Sequence, residues 1–474
     1  MLRNSLLTIL FSGISLFCFS QTAEALFNEA VKKAGRGQYK PAIELYNLAI
    51  QKDPSYTKAY FNRGIAHSNT GGKSEAIKDY SKVIEQDPDF VFAYNNRGVT
   101  KSGMGDQVGA ITDFNKVIEL KPKYTKAYLN RGIAKAKLGQ YSDAIIDFDK
   151  AIKQRSGYAK AYFNRGSSRS KLQDPRGAIT DFDKAIELKP TYGGSYYYRG
   201  FEKERLGDHQ GAIADYDKAA EYDPKNAGIY NNRGVAKSNI GNHTGAIADY
   251  NKAMELEPGY AHIYYNRGYD KGKVGDNPGA IIDFDKSLDL EPNNAQAWFN
   301  MGVAKVRMEN YGGAITDYNK AVELRPNYIS AIFNRGVAKG KMGNSKGAIE
   351  DYNKVIELNT IHTGAFYNRG MEKEKTEDHT GAIVDFSVVI ELDPNNADAY
   401  FNRGLTKGKT GDARAAIEDH NKAIEINPTN QDAFFNRGLN QILINEKERG
   451  CEDLRKASEM GHKQAAQLIK EYCN

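Results

Sequence analysis

A pattern of apolar and polar residues recurs along this chain every 34 residues, and it predicts pairs of α-helices. In the unit formed by residues 57–90, Tyr60 and Gly64 have the spacing of one helix face. Residues 70–72, Thr-Gly-Gly, then break the pattern as a tight turn does. A second apolar face follows and ends at Asp87-Pro88, because the residue before a proline disfavours the helical conformation. Each unit is therefore predicted to be helix, turn, helix.

The tripeptide Asn62-Arg63-Gly64 marks the period, since it returns in steps of 34 residues or a multiple of 34. The asparagines of its copies are Asn62, Asn96, Asn130, Asn164, Asn232, Asn266, Asn334, Asn368, Asn402 and Asn436. Tyr198-Arg199-Gly200 and Asn300-Met301-Gly302 fill the two gaps with one change each. A fixed period of this length is the signature of stacked supersecondary units, which bury their apolar faces against one another. We number the positions of each unit so that Asn62 holds position 6 and Gly64 position 8.

Small residues predict where the two helices of a unit meet. Gly64 at position 8 and Ala76 at position 20 would let the helices approach closely, and Tyr60 and Tyr80 would fill the space around the contact. A side chain added at such a glycine is expected to overpack the pair.

These residues resemble the tetratricopeptide repeat family over nearly the whole chain. The family has an aromatic residue at position 4, Gly at 8, Ala at 20, an aromatic residue at 24 and Ala at 27. One unit reads Tyr128, Gly132, Ala144, Phe148 and Ala151 at these positions. The resemblance implies an all-α fold, a right-handed superhelical α-solenoid of about 13 repeats within residues 21–460. It implies no particular partner, because the family hosts many unrelated binding tasks.

The chain departs from the family at two positions of the first helix. The family usually has Leu at position 7 and Tyr at position 11, whereas this chain has Arg at position 7 in 11 units and Lys or Arg at position 11 in 11 units. A buried arginine needs a partner, and Asp stands 16 residues later in 12 units, as Asp147 does after Arg131 in one of them. We therefore expect a ladder of Arg–Asp pairs within or between units. The alternative is that the arginine stem covers the core while its head stays in water.

The functional hypothesis rests on the asparagine at position 6. The resemblance implies that the first helix of each unit lines a concave surface, and Asn occupies position 6 in 12 of 13 units although it is a poor helix former. Its amide suits a peptide backbone, because it both donates and accepts hydrogen bonds. The predicted peptide-binding asparagines are Asn62, Asn96, Asn130, Asn164, Asn232, Asn266, Asn300, Asn334, Asn368 and Asn402. The row is similar to the asparagine ladder in the repeat domain of O-linked N-acetylglucosamine transferase. The alternative is that these asparagines bridge adjacent helices or cap a solvated surface.

Basic residues at position 13 lie two turns beyond the asparagine. Those assigned to binding are Lys137, Lys171, Arg205, Lys273, Arg307 and Lys341. Amides followed by positive charge favour an extended, acidic-leaning polypeptide as the partner. Nucleic acid is not expected, because the net charge is only +6 over 474 residues and the chain lacks an aromatic–basic RNA motif.

The first 20 residues predict a secretory signal peptide. Arg3 precedes a mainly apolar stretch at residues 6–17, and Cys18-Phe19-Ser20 has small residues at the −3 and −1 positions of a cleavage point before Gln21. An uncleaved anchor and a lipoprotein attached through Cys18 are the alternatives. We expect an exported protein, periplasmic or extracellular and from a bacterial envelope, without an integral membrane span after cleavage.

The two remaining cysteines, Cys451 and Cys473, lie near the end of the chain. An even pair in an exported protein suggests a disulfide. A bond becomes feasible if a capping helix within residues 461–474, expected from Lys463 to Tyr472, runs antiparallel to the preceding helix. The alternative is two free thiols.

Neither a cofactor nor a metal or catalytic site is predicted. The eight histidines are scattered, and the sequence contains neither a phosphate-binding loop nor a nucleophile elbow. The sequence favours a non-enzymatic scaffold that binds extended polypeptide in its groove. The other possibilities are a structural or surface-interaction protein that uses its convex face, or an assembly factor for an envelope complex.

Overall fold

The structure of the protein is a computed structural model that describes residues 22–473. Within these residues the chain forms 27 α-helices and no β-strand, which confirms the predicted all-α fold. The predicted signal peptide lies outside the described residues. Over the described range, every helix is too short or too polar to cross a membrane.

The described chain divides into two compact units, one ending at Ile240 and the other beginning at Gly241. The helices of the first unit are α1 Ala23–Gly35, α2 Tyr39–Lys52, α3 Thr57–Asn69, α4 Lys73–Gln86, α5 Val91–Gly103, α6 Gln107–Leu120, α7 Thr125–Lys137, α8 Tyr141–Gln154, α9 Ala159–Lys171, α10 Pro175–Leu188, α11 Gly193–Arg205, α12 His209–Tyr222 and α13 Ala227–Asn239. Those of the second unit are α14 His243–Leu256, α15 Ala261–Lys273, α16 Asn277–Leu290, α17 Ala295–Arg307, α18 Tyr311–Leu324, α19 Ile329–Lys341, α20 Ser345–Leu358, α21 Thr363–Lys375, α22 His379–Leu392, α23 Ala397–Lys409, α24 Ala413–Ile426, α25 Gln431–Leu443, α26 Lys447–Glu459 and α27 Ala465–Tyr472.

Each repeat consists of an odd-numbered helix, called helix A, and the even-numbered helix B that follows it; α27 stands apart as a final helix. In each unit, helix A packs against its own helix B, and helix B packs against helix A of the next repeat. Most A helices within a unit also contact the A helix of the next repeat. This arrangement brings the exposed sides of successive A helices together on one surface.

The turn between helices A and B is specified by two neighbouring residues. At position 15, Gly105 has a φ of +92°, a left-handed conformation that glycine adopts without steric cost. At position 16, the Asp106 carboxylate accepts a hydrogen bond from the Gly109 amide at 2.8 Å and so caps helix B. Four turns hold a non-glycine residue at a φ near +60°, namely Gln173, Glu309, Glu377 and Asn445.

The glycine at position 8 makes the closest contact between helices A and B, as predicted from its size. A Cβ built on Gly132 would lie only 2.6 Å from Phe148 Cε1, and one on Gly64 would lie 2.7 Å from Tyr80 Cε1. The rings of Phe148 and Tyr80 are themselves buried. An added methyl group would therefore have to displace a packed ring.

The predicted Arg–Asp ladder is confirmed, and it joins three helices instead of two. Arg131 donates from Nε to Asp147 Oδ2 at 2.9 Å and from Nη2 to Asp147 Oδ1 at 2.5 Å, which ties helix A to its own helix B. Its Nη1 donates to Asn115 Oδ1 at 2.7 Å on helix B of the preceding repeat. Lys135 at position 11 adds a contact of 2.8 Å to Asp147, and the Tyr128 ring lies 5.7 Å from the guanidinium.

The same Arg–Asp pairing recurs within both units. The pairs are Arg63–Asp79, Arg97–Asp113, Arg131–Asp147, Arg165–Asp181, Arg199–Asp215, Arg267–Asp283, Arg335–Asp351, Arg369–Asp385, Arg403–Asp419 and Arg437–Asp453. The carboxylates are buried and the guanidinium groups are engaged, so these arginines do not form a solvated basic surface. The alternative of a solvated arginine head is wrong for these repeats.

The ninth repeat lacks the arginine of position 7 but keeps the aspartate of position 23. Met301 is buried at position 7, and Asp317 keeps only Lys305, whose ammonium lies 2.6 Å from Asp317 Oδ2. Burial raises the pKa of the Asp317 carboxyl above its ordinary value, although the hydrogen bond from Lys305 opposes this shift. Folding therefore makes ionisation of this aspartate less favourable.

The chain ends in the small helix that the sequence led us to expect, although it begins at Ala465, two residues later than predicted. Ala465 is the buried residue of α27, and Leu468 and Ile469 pack beside it, whereas Ala466 is exposed. The sulfur atoms of Cys451 on α26 and Cys473 after α27 lie 2.00 Å apart as a disulfide.

Replacing Gly132 by Ala is expected to destabilise the protein by about 1–3 kcal/mol, because the new methyl group would overpack the Phe148 ring. Helix propensity alone would give the opposite sign, a gain of about 1 kcal/mol. Denaturant unfolding measures the change, and Gly35→Ala at the last residue of α1 is the control because a Cβ there meets nothing within 4 Å. Stabilisation by Gly132→Ala would contradict this packing.

Asp283→Asn and Asp317→Asn should differ sharply in their effect on stability. The first leaves Arg267 with an uncompensated buried charge and should cost about 3–5 kcal/mol. The second leaves Lys305 without its partner but removes a carboxylate whose pKa is raised, so at pH 7 it should cost less than the first. The protonated form of Asp317 is favoured below its unfolded pKa of about 3.9, and this advantage is lost as the pH rises through the higher folded value. Urea unfolding at pH 4 and pH 7 measures both variants, and equal costs would contradict the assignment.

Reduction of the Cys451–Cys473 bond is expected to destabilise α27 and the end of α26. The bond spans 22 residues of sequence, and a loop of that length corresponds to about 3 kcal/mol in the chain-entropy model. Hydrogen exchange with and without reductant measures the effect, with Cys473→Ser as the control that should not respond to reductant. Unchanged protection of α26 and α27 in the reduced protein would contradict a stabilising role.

Candidate functional site

The candidate site is the surface of the A helices, called the A-helix face and defined by the side chains at positions 6, 9 and 13. The predicted asparagines are half-buried there in both units. The first unit contains Asn62, Asn96, Asn130, Asn164 and Asn232, with Lys137, Lys171 and Arg205. The second contains Asn266, Asn300, Asn334, Asn368 and Asn402, with Lys273, Arg307 and Lys341.

Several asparagines bind the preceding repeat, as the alternative interpretation of the row supposed. Asn232 donates to Tyr197 Oη at 3.1 Å, and Asn300 donates to Tyr265 Oη at 3.0 Å. Asn402 makes the same bond to Tyr367 at 2.9 Å. In these repeats the asparagine therefore joins neighbouring A helices.

Other asparagines bond within their own helix. The Asn164 amide donates to the Lys160 carbonyl oxygen at 2.6 Å, and Asn62 donates to the Lys58 carbonyl oxygen at 2.9 Å. Such a bond uses one of the two amide hydrogens and leaves the side-chain oxygen able to accept a further bond.

The side chains of Asn334 and Asn368 make no hydrogen bond to the described residues. The reason lies in the preceding repeat, where position 5 is Phe299 or Phe333 instead of a tyrosine, so no hydroxyl is available. The residue pair formed by position 5 of one repeat and position 6 of the next is thus the sequence signal for a bond between the asparagine and a tyrosine hydroxyl. This pairing is visible in the sequence.

The basic residues at position 13 are exposed, but they are not equivalent. Arg307 Nη1 donates to the Gly272 carbonyl oxygen at 2.6 Å, and Arg205 contacts Glu202 at 2.7 Å. The Lys273 ammonium lies 5.2 Å from the centre of the Tyr269 ring. By contrast, Lys137, Lys171 and Lys341 have no carboxylate partner among the described residues.

Buried carboxylates next to the A-helix face were not anticipated. Glu202 and Glu372 occupy position 10, where many repeats have Ala, and both are buried. Ser170 Oγ donates to Glu202 at 2.5 Å, and Ser345 Oγ donates to Glu372 at 2.7 Å. The shared sequence Glu-Lys-Glu at residues 202–204 and 372–374 was the available signal. These acids hold neighbouring repeats together.

Glu374 links three partners beside the A-helix face. Burial opposes its ionisation, but hydrogen bonds from Lys409, His379 and Thr406 outweigh that effect and hold the pKa of the Glu374 carboxyl below its ordinary value. The Glu374 oxygens lie 2.5 Å from Lys409 Nζ and 3.0 Å from His379 Nδ1. Lys409 is therefore neutralised locally.

A depression opens on the A-helix face in each unit. The larger, of about 490 Å³, lies between α7, α9 and α11 and includes Asn164, Lys137 and Lys171 in its wall. The smaller, of about 270 Å³, lies between α15 and α17 and includes Asn300 and Arg307. Predicted asparagines and basic residues thus come together at both places. Within residues 22–473, His, Cys, Asp and Glu side chains nowhere form a group of three that could hold a metal ion.

Sequence models of one repeat family match most of the chain. A model described as "TPR repeat" matches residues 35–71, 205–241 and 305–343. Two models described as "Tetratricopeptide repeat" match residues 159–192 and 397–430, and residues 57–90, 93–124, 125–157, 227–260 and 329–362. A comparison with curated proteins finds no significant match.

Solved structures similar to this chain include other repeat proteins. MamA is 29% identical over 34% of this chain and 94% of its own, with a TM-score of 0.33. YrrB, described as "a TPR protein with an unusual peptide-binding site", is 23% identical over 38% of this chain and 92% of its own, with a TM-score of 0.34. A tetratricopeptide repeat protein from Parabacteroides merdae ATCC 43184 is 21% identical over 52% of this chain and 98% of its own, with a TM-score of 0.43.

Proposed function

Because the chain belongs to the tetratricopeptide repeat family, we propose that it is a non-enzymatic scaffold whose A-helix face binds extended polypeptide segments. The observation that carries the proposal is the set of unused amide groups on that face. Asn334 and Asn368 have both amide hydrogens and the oxygen available, and Asn62 and Asn164 keep part of theirs. An extended backbone offers complementary donors and acceptors at every residue. Binding through the backbone would tolerate varied side chains in the partner.

The distribution of charge supports an acidic-leaning partner on the A-helix face. The lysine at position 26 of many B helices is paired within its own helix, three residues from an acid, as in Lys116–Glu119 at 2.6 Å and Lys320–Glu323 at 2.7 Å. Such pairs contribute little stability, but they balance the charge of these lysines locally. Lys137, Lys171 and Lys341 on the A-helix face lack such partners among the described residues. An acidic segment is therefore attracted to these three lysines more than to the paired lysines of the B helices.

We further propose that the protein works outside the cytoplasm. The apolar stretch after Arg3 and the pairing of Cys451 with Cys473 support this proposal, because disulfides persist in oxidising compartments. Trapping free thiols with an alkylating reagent in intact cells, followed by peptide mapping, tests it. We expect Cys451 and Cys473 to be recovered as one disulfide-linked peptide pair, and alkylated cysteines would contradict export.

Panning a random dodecapeptide library against the immobilised full chain tests the binding proposal. Enriched peptides are then titrated by fluorescence anisotropy against two A-helix-face variants, Asn334→Ala/Lys341→Ala/Asn368→Ala and Lys137→Ala/Asn164→Ala/Lys171→Ala. Each lost hydrogen bond is worth about 1 kcal/mol, so at least one variant should bind a given peptide roughly tenfold or more weakly.

The matched control changes lysines of the B helices, as Lys320→Ala/Lys354→Ala. This control should bind within twofold of the wild type, and circular dichroism should show the same helix content in all variants. The proposal would be overturned if panning enriched no peptide, or if only the B-helix variant weakened binding.

A further inference from the structure

The sixth repeat breaks the pattern of the A-helix face at two positions. Tyr198 replaces the asparagine of position 6, and Phe201 stands at position 9, where most repeats have a smaller aliphatic residue. Both rings are partly open to solvent, with 40% and 41% of their surface exposed. They form part of the wall of the larger depression, together with Tyr197, Asn164 and two lysines. The largest departure from the row of asparagines therefore coincides with the larger of the two depressions.

The aromatic wall is held in place by packing behind it. The Tyr198 ring lies edge-on to Phe163 at 5.6 Å and stacks against Phe182 at 6.1 Å between ring centres. Tyr197 packs at 5.2 Å against Tyr198, and its hydroxyl accepts a hydrogen bond from Asn232 at 3.1 Å. Because these partners fix the rings, little conformational freedom remains to be lost on binding.

The rim of the depression carries uncompensated positive charge. Lys137 and Lys171 are exposed at its edge and have no carboxylate partner among the described residues. The nearby Glu202 carboxylate is buried and already accepts from Ser170 and contacts Arg205, so it is not available to them.

The smaller depression in the second unit lacks this combination. Its Arg307 is bound to the Gly272 carbonyl oxygen, and its Lys273 lies over the Tyr269 ring. Position 6 there is Asn300, which is bonded to Tyr265. It therefore offers neither a free basic rim nor an aromatic residue at position 6.

We propose that the depression of about 490 Å³ is a specificity pocket for one side chain of the bound polypeptide. It takes an aromatic or large aliphatic residue against Tyr198 and Phe201, and an acidic residue beside it in the segment meets Lys137 or Lys171. The inference rests on the proposed function and makes it more specific. The row of asparagines binds the backbone of the partner and tolerates many sequences. This pocket instead selects one side chain and fixes the register of the bound segment along the repeats. Anchoring of this kind by a buried aromatic or aliphatic side chain usually supplies much of the binding energy of an interface.

The peptides enriched from the random dodecapeptide library provide the test. They should share an aromatic or large aliphatic residue with Asp or Glu as a neighbour. Replacing that residue by Gly, or the acid by Asn, should weaken binding to the full chain at least tenfold in anisotropy titrations. These measurements use the unmodified protein, so they do not depend on the folding of a variant.

Two variants of the protein complete the test. Tyr198→Asn/Phe201→Val gives the sixth repeat the residues that other repeats have at these positions, and Lys137→Glu/Lys171→Glu reverses the charge of the rim. Each should weaken the same peptides at least tenfold. Tyr222→Leu removes an exposed aromatic residue of the B helix α12, outside the A-helix face, and is the matched control, with a change below twofold.

The possible results separate the pocket from the function on which it rests. Peptides that lack the shared pair of residues, or that bind Tyr198→Asn/Phe201→Val within twofold of the wild type, overturn the pocket. The proposed function stands in that case if the alanine variants of the A-helix face still weaken binding. A library that yields no binding peptide overturns both.

Discussion

The ion pairing of the buried aspartate at position 23 is the interaction on which the rest of the structure depends. A carboxylate at that depth must be paired if it is to stay ionised, and here its pairing organises three helices. Arg131 reaches Asp147 on its own helix B and Asn115 on the helix before, while Lys135 adds a second cation. The arginine side chain thus takes part in contacts both within its repeat and with the preceding repeat. The ninth repeat, with Met301 and an Asp317–Lys305 pair, lacks the arginine that makes this coupling.

On helix A, the glycine at position 8 and the arginine of the Arg–Asp ladder hold the structure together, and other positions remain available for binding. Gly132 sets the distance to helix B, and Arg131 is used in holding the helices together. What remains for a partner is the A-helix face, where amides, exposed rings and a few unpaired lysines meet. Counting these paired arginines as part of a basic groove would therefore overstate its charge. The free charge is local, and it is concentrated where the aromatic wall is also exposed.

The sequence was sufficient for features that repeat, and insufficient for features that differ between repeats. Period, helix pairs and the Arg–Asp partners followed from spacing, because the same contact recurs at each turn of the pattern. The hydrogen bonds of each asparagine did not, since a bond to the preceding repeat requires a tyrosine such as Tyr197 at position 5 there, and a phenylalanine such as Phe299 offers no hydroxyl. Glu202 and Glu372 were missed for a similar reason, because an acid at a core position is explained only by donors on a neighbouring helix. Nothing in the spacing alone marks the depression beside Tyr198.

Each ladder arginine binds one residue later in the sequence and one earlier, and this limits how such a chain can change its length. Each guanidinium needs an aspartate 16 residues ahead and a small acceptor 16 residues behind, and that acceptor is Asn, Ser or Asp in different repeats. Excision or duplication of one whole 34-residue block would present every remaining arginine with an acceptor of the same kind. An insertion of any other size inside a helix would misalign an arginine with one of its two partners. Gain and loss of complete repeats by recombination is thus the route of variation that this architecture tolerates, and the number of binding positions can evolve without redesign of the core.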